Sequence, residues 1–111
     1  MKVRRTDNGA AARLIAVGEG QAWVEGPLDF SSVPALLKAG DLLLRRPGAF
    51  RIDLGGVTAA NSAGLALVLE WLDLARSRHL DLRFLNLPDS VRRIAAFSNL
   101  EALLPVAEEG T

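Results

Sequence analysis

The chain of 111 residues contains no cysteine, which excludes disulfides, iron–sulfur clusters and cysteine-ligated zinc. The same absence suits a reducing compartment. Net charge is also missing, because thirteen Lys and Arg balance thirteen Asp and Glu. No global field draws such a chain to DNA or to an anionic bilayer, so nucleic-acid binding is set aside. No apolar run approaches the roughly 20 residues that span a membrane. The opening M-K-V-R-R imitates a signal sequence only briefly, since Asp7 and Arg13 interrupt it and L-I-A-V is too short. A cytoplasmic chain with no direct membrane insertion is therefore expected.

Catalytic equipment is equally sparse. The phosphate-cradling G-x-x-x-x-G-K-[ST] is absent, and Gly18, Gly20, Gly55 and Gly56 do not build a G-x-G-x-x-G turn into a helix. The chain is thus not itself an ATPase. Metal-ligand candidates are scattered carboxylates and one histidine without ligand spacing, so no metal and no other cofactor is expected. Glu70 and Asp73 share a helix face, where a solvated stripe is the expected role.

What is present is a clear alternation of elements. Residues 1–10 read as a flexible lead-in, 11–105 as one domain and 106–111 as a tail. R-L-I-A-V-G-E-G-Q-A-W-V-E-G-P-L, starting at Arg13, is two apolar runs around a glycine turn, the pattern of a hairpin. Asp29, Ser31 and Ser32 offer caps to a helix through V-P-A-L-L-K-A-G-D-L-L-L, which Arg45, Arg46, Pro47 and Gly48 terminate. Phe50–Leu54 reads as a short strand closed by Gly55 and Gly56. A long helix is expected from Ser62 to about His79, a strand from Leu80 to Leu85, a helix from Pro88 to Phe97 and a short helical turn from Asn99 to Leu104. An opening hairpin followed by helical crossovers predicts an α/β domain: a small mixed sheet of about four strands flanked by about four helices.

The segment A-A-N-S-A-G, Ala59 to Gly64, joins a strand to the longest helix. Its small-x-Ser-x-Gly pattern resembles a nucleophile elbow. A nucleophilic serine needs a base within hydrogen-bond reach. The one histidine, His79, lies seventeen residues after Ser62 on the same helix, a separation of ~25 Å at the helical rise. An enzyme is therefore not expected, and no catalytic residue is assigned. Asn61 or Ser62 instead caps the helix, whose N-terminal N–H groups and dipole would also favour a phosphate on Ser62. Ala59, Ala60, Ala63 and Gly64 surround the serine with almost no side chain, which lets an approaching surface come close to the backbone.

The helix itself is unusually apolar around its circumference. Glu70, Asp73 and Ser77 fall together, and apolar or small residues occupy an arc on the order of 240°, where a surface helix needs only about 100°. Two readings of the surplus stay open. Neighbouring helices bury it, or it forms a docking surface that starts at Ser62 and continues through Leu67 and Trp71.

The stretch D-L-G-G-V-T-A-A-N-S-A-G-L-A-L-V-L-E-W, Asp53 to Trp71, resembles the central signature of STAS domains, the family of anti-sigma-factor antagonists and sulphate-transporter tails. The family pattern there is roughly D-L-S-x-V-x-x-x-D-S-[SA]-G-L. E-G-P-L-D-F, Glu25 to Phe30, resembles the family's second strand and first helix entry, and the likeness extends from Leu14 to Leu104. It implies a STAS-like fold, and it places Ser62 on the family's phosphoacceptor position with Ala63 and Gly64 on the small residues after it. Within the family, A-G-L-A-L-V-L-E-W-L-D-L-A-R and L-R-F-L-N-L-P-D-S-V-R-R-I-A-A-F-S-N-L look most like the STAS subunit of the phospholipid-transporting ABC complex that maintains outer-membrane lipid asymmetry. That likeness implies a non-enzymatic accessory subunit, cytoplasmic and peripheral to the inner membrane, whose partner is the ABC transporter ATPase subunit. Asn61, Ser62, Ala63, Gly64, Leu67 and Trp71 are the expected contact residues. The alternative is an anti-sigma-factor antagonist switched by phosphorylation of Ser62. Asn61 replaces the family's usual Asp and Ala63 the second serine of the antagonist form, and both changes favour an interface over a kinase substrate.

Overall fold

A hairpin opens the chain in the computed structural model, which describes residues 11–106. Strand β1 (Arg13–Gly18) turns at Glu19–Gly20 into β2 (Gln21–Leu28), with Gly20 at φ 71°. Helix α1 (Val33–Leu43), strand β3 (Ala49–Ala60), helix α2 (Ser62–Ser77), strand β4 (Asp81–Leu85), helix α3 (Asp89–Phe97) and a 3₁₀ turn (Glu101–Leu103) follow. The sheet order is β1-β2-β3-β4, antiparallel at β1–β2 and parallel at β2–β3 and β3–β4. This is the mixed α/β sheet expected from the sequence, with three α-helices and a 3₁₀ turn among the described residues where about four helices were expected. The expected lead-in, residues 1–10, and the tail from residue 107 lie outside the described residues. Val106, assigned to the tail, bridges Phe84 on the outer edge of β4.

Successive parallel strands added in one direction keep their right-handed crossovers on one face of a sheet. Burial agrees: Ala22, Val24 and Leu28 of β2, Phe50, Ile52 and Leu54 of β3, and Leu82 and Phe84 of β4 are buried beneath the helices. The alternate residues Gln21, Arg51, Asp81 and Arg83 are exposed on the opposite face, so the described residues form two layers, with the helices packed on one face of the sheet.

Strand β3 is longer than the sequence suggested. Gly55 and Gly56 do not close it; they form a bulge, since Trp23 pairs with Asp53 and Glu25 with Gly56, two steps on β2 against three on β3. The Trp23 ring lies over both glycines. A Cβ on Gly56 would sit 2.7 Å from Trp23 Cζ2 and 2.8 Å from Glu25 Cβ, so only glycine fits. Trp23 Nε1 donates to Glu25 Oε1 at 2.9 Å, and Arg13 Nη2 donates to Glu25 Oε2 at 2.8 Å. Arg13 first and Trp23 second hold the Glu25 carboxyl below its ordinary pKa.

Helix α2 lies in the middle of the helical layer, and its wide apolar arc is buried by its neighbours. Leu67 and Trp71 are both 0% exposed. Trp71 Nε1 donates to Leu36 O of α1 at 3.3 Å, and its ring fills the space where Gly40 lacks a side chain. Arg78, just past α2, clamps the other end of α1, donating to Asp41 O at 2.9 Å and Leu44 O at 2.8 Å and pairing with the Asp41 carboxylate. That pairing, ahead of the bond from Arg45, lowers the Asp41 pKa.

Helix ends follow from local chemistry. Asp29 Oδ1 accepts from the backbone N–H of Ser31 at 2.9 Å and of Ser32 at 3.0 Å, so Asp29 rather than either serine caps the approach to α1. His79 after α2 and Asn99 after α3 take left-handed conformations, φ 59° for each. In each case the next N–H reaches back five residues, Leu80 to Ala75 and Leu100 to Ala95, the Schellman ending that satisfies carbonyls of the last turn.

Candidate functional site

Strand β3 runs out at Ala60, and the chain turns into α2 through a single residue, Asn61. Asn61 is extended, at φ −114° and ψ −160°, and its Oδ1 accepts from Ala63 N at 2.8 Å. Its own N–H donates to Leu28 O at 3.3 Å, which ties the turn to the end of β2. Of the two cap candidates, Asn61 is the one in place. Ser62 is the first residue of α2 and its side chain is exposed. No acidic residue lies in the first turn of the helix, so the positive end of its dipole at Ser62 is not offset by a local side chain.

The six residues expected to meet a partner divide by burial. Asn61 and Ser62 are exposed, whereas Ala63, Gly64, Leu67 and Trp71 are buried. The small residues face inward. A Cβ on Gly64 would lie 3.1 Å from Ala60 Cβ, 3.3 Å from Leu28 Cβ and 3.4 Å from Val91 Cγ2, so glycine lets the helix start settle onto β2, β3 and α3 together. Ala63, Gly64, Leu67 and Trp71 therefore pack into the core and do not line the surface of the helix. A docking surface running from Ser62 through Leu67 and Trp71 does not exist in this fold, because the core takes both large residues.

What the outward stripe of α2 does present is Ser62, Ala66, Glu70 and Asp73, all exposed. Beside the turn, two residues beyond Leu28, Phe30 is 72% exposed. Sequence reasoning passed over Ala66 and Phe30. The signal for Ala66 was its place one turn after Ser62 on the same face as Glu70; the signal for Phe30 was an aromatic beyond the last alternating strand position. Around them, Ser31 first and the Ser32 N–H second hold the Asp29 carboxyl below its ordinary pKa, which keeps it ionised as a cap. His79 is exposed at the far end of α2, beyond Ser77, the last residue of the helix, and is no base for Ser62.

The architecture, a mixed sheet with helices on one face and a serine opening the central helix, is that of the STAS class. The chain belongs to that family: the family model described as "Mlab, STAS domain" matches residues 19–105. The fold is shared with solved anti-sigma factor antagonists. SpoIIAA in its unphosphorylated form is 20% identical with a TM-score of 0.66, over 89% of this chain and 90% of that one. An antagonist from Mycobacterium paratuberculosis is 20% identical with a TM-score of 0.67, over 90% of this chain and 86% of that one. The phosphorylated Bacillus SpoIIAA is 20% identical with a TM-score of 0.61, over 89% and 93%. No curated protein matches the chain.

Proposed function

We propose that this protein is a non-enzymatic accessory subunit that docks on the ATPase subunit of an ABC-type phospholipid transporter, one that serves outer-membrane lipid asymmetry. The reading rests on the MlaB-type family match over residues 19–105. It places the protein on the cytoplasmic side, held at the inner membrane through the complex. Among the described residues no helix is long and apolar enough to cross a membrane, so attachment through a partner is the route this reading requires. The contact it uses is the exposed Ser62 turn with Ala66 below it and Phe30 beside it. Asn61 and Ser62 supply hydrogen bonds, Ala66 supplies close approach and Phe30 an apolar anchor.

The test is co-purification with the ATPase subunit encoded alongside it. The unaltered chain should hold the ATPase through size-exclusion chromatography, and Ser62→Glu or Ala66→Arg should release it while leaving the circular dichroism spectrum unchanged. A chain that elutes alone, or binding indifferent to both substitutions, would overturn the assignment. A second reading, an anti-sigma-factor antagonist switched by a phosphate on Ser62, draws support from the exposed hydroxyl at a helix N-terminus. Intact-mass spectrometry of protein from its host separates the two. A stoichiometric phosphate that varies with growth state favours the switch, and its absence under all conditions removes it.

A further inference from the structure

The sheet face away from the helices carries a charge pattern that the docking reading does not use. Arg13, Arg51 and Arg83 lie on it with Glu25, Asp53 and Asp81, so its formal charge is zero, as is that of the whole chain. Two of the pairs close within the chain, Arg13 on Glu25 at 2.8 Å and Arg83 on Asp81 at 3.4 Å. Arg51 and Asp53, two residues apart on β3, are in no ion pair among the described residues. Asp53 is tied instead toward the far end of its strand, where Oδ1 accepts from Gly55 N at 2.8 Å and from Asn86 Nδ2 at 2.9 Å. Arg51 finds no acid across the sheet either, with Gln21 opposite it on β2 and the like charge of Arg83 opposite it on β4. Both open charges line one shallow cavity of about 240 Å³, whose apolar walls are Val17, Trp23 and Leu85. Val17 is 58% exposed, and Ile15, paired with Trp23 across the hairpin, is partly so.

We propose that this face binds a second copy of the chain, sheet to sheet, as a reversible two-fold dimer. In such a contact residue i of one copy meets residue j of the other, and j meets i. One open cation and one open anion, adjacent on a single strand, are what that symmetry needs. A two-fold axis crossing the strands between Arg51 and Asp53 lays the two β3 strands over each other in opposite directions. Arg51 of each copy then faces Asp53 of the other, and both charges find the partner their own chain withholds. The same operation brings Ile15 of one copy to Val17 of the other, because the two flank Ala16, which pairs with Ala22 level with Ile52. A face and a chain without net charge also remove the repulsion that keeps identical molecules apart. Four strands about 4.8 Å apart, with roughly five to eight residues of ~3.3 Å each, give a footprint of roughly 300–500 Å² per copy. That is less than the ~800 Å² per partner of a standard stable interface, so the dimer is weak and exchanges readily. The helical layer that carries Ser62 stays uncovered on the opposite side of the sheet, and the dimer is independent of the docking reading.

Sedimentation velocity of the full chain over a concentration series tests this, with a monomer–dimer transition expected in the micromolar range. Arg51→Asp and Asp53→Arg each set like charges against one another across the axis and should weaken self-association by more than about tenfold. Mixed one to one, the two variants are complementary at both contacts and should form a dimer that neither forms alone. Val17→Lys, at an exposed position outside the hydrogen bonds of Asp53, should weaken the dimer as well, which keeps the test sound if Asp53→Arg disturbs the fold. Ser62→Glu should leave it unchanged. A dimer undiminished by both Arg51→Asp and Val17→Lys would overturn the assignment. So would a chain that stays monomeric to about 300 µM, far above a micromolar dissociation constant. In that case a Trp23 shielded from iodide gives the face to another segment of this chain, and a quenched one leaves it to a different molecule.

Discussion

Substituting Gly40 by alanine reads the packing of α1 on α2 directly, because two opposing effects have known sizes. Alanine is favoured over glycine in a helix interior by about 0.8–1.0 kcal/mol, and Gly40 lies inside α1. Against this, the new Cβ would sit 2.1 Å from Trp71 Nε1, 2.7 Å from Cδ1 and 2.9 Å from Cε2. Ordinary contact begins at 3.4 Å, so the shortfall to Nε1 is 1.3 Å. The indole cannot swing away cheaply, since Trp71 is fully buried and bonded to Leu36 O. Overpacking a dense core costs about 1–3 kcal/mol or more, and stranding the buried indole N–H adds about 1–3 kcal/mol. A net destabilisation of about 1–5 kcal/mol follows, which lowers Tm by on the order of 5–30 °C in a domain of this size. Thermal melts and urea titrations followed by far-UV circular dichroism measure it. The same substitution in a Trp71→Phe background should cost far less, or stabilise by up to about 1 kcal/mol, once the indole edge is gone. A Gly40→Ala protein that melts within a few degrees of the parent, with no coupling to Trp71, would refute the reasoning.

Three further outcomes are expected. Asn61→Ala removes the acceptor for Ala63 N and should cost about 1 kcal/mol, whereas Asn61→Asp keeps the cap and gains about 0.3–1 kcal/mol from the helix dipole, both read by urea titration. Gly56→Ala drives a methyl into Trp23 and Glu25 and should destabilise by about 1–3 kcal/mol, with Trp23→Ala in the same chain relieving the strain. Asp41 has a pKa lowered chiefly by Arg78, so its pairing stabilises the fold above the ordinary carboxylate range near about 4 and is lost as pH falls below it. Asp41→Asn should therefore lower stability at neutral pH and flatten the acid limb of a stability-against-pH curve, while a curve of unchanged shape would show that the Arg78 clamp does not contribute.

The order of elements was legible because each helix announces its start and each strand its alternation. Asn61 as a cap and the opening hairpin belong to chemistry within a few residues of each position. The true end of β3 was not legible in the same way. Gly55 and Gly56 carry the usual mark of a strand terminus, and what keeps the strand going is Trp23, more than thirty residues away, lying over them. The outward surface of α2 was hidden along similar lines. The periodicity of α2 showed a surplus of apolar surface but not its owner, since whether Leu67 and Trp71 face a partner or the core depends on α1 and its missing side chain at Gly40. Ala66 was hidden because an alanine on an outward stripe looks the same whether or not anything docks there.

The placement of the two tryptophans gives the molecule two separate optical channels. Trp71 sits on α2 in a dry apolar environment against α1, and Trp23 is partly exposed on the other sheet face beside a carboxylate. Their emissions differ in colour and in access to quenchers: the buried indole emits to the blue and is shielded from iodide, and the surface one emits to the red and is quenched. A partner that covers the helical layer changes neither solvent shell directly. A second copy on the sheet dims or shifts the red component alone, and loosening of the core moves the blue one, so a single spectrum distinguishes the two faces of this fold without any added label.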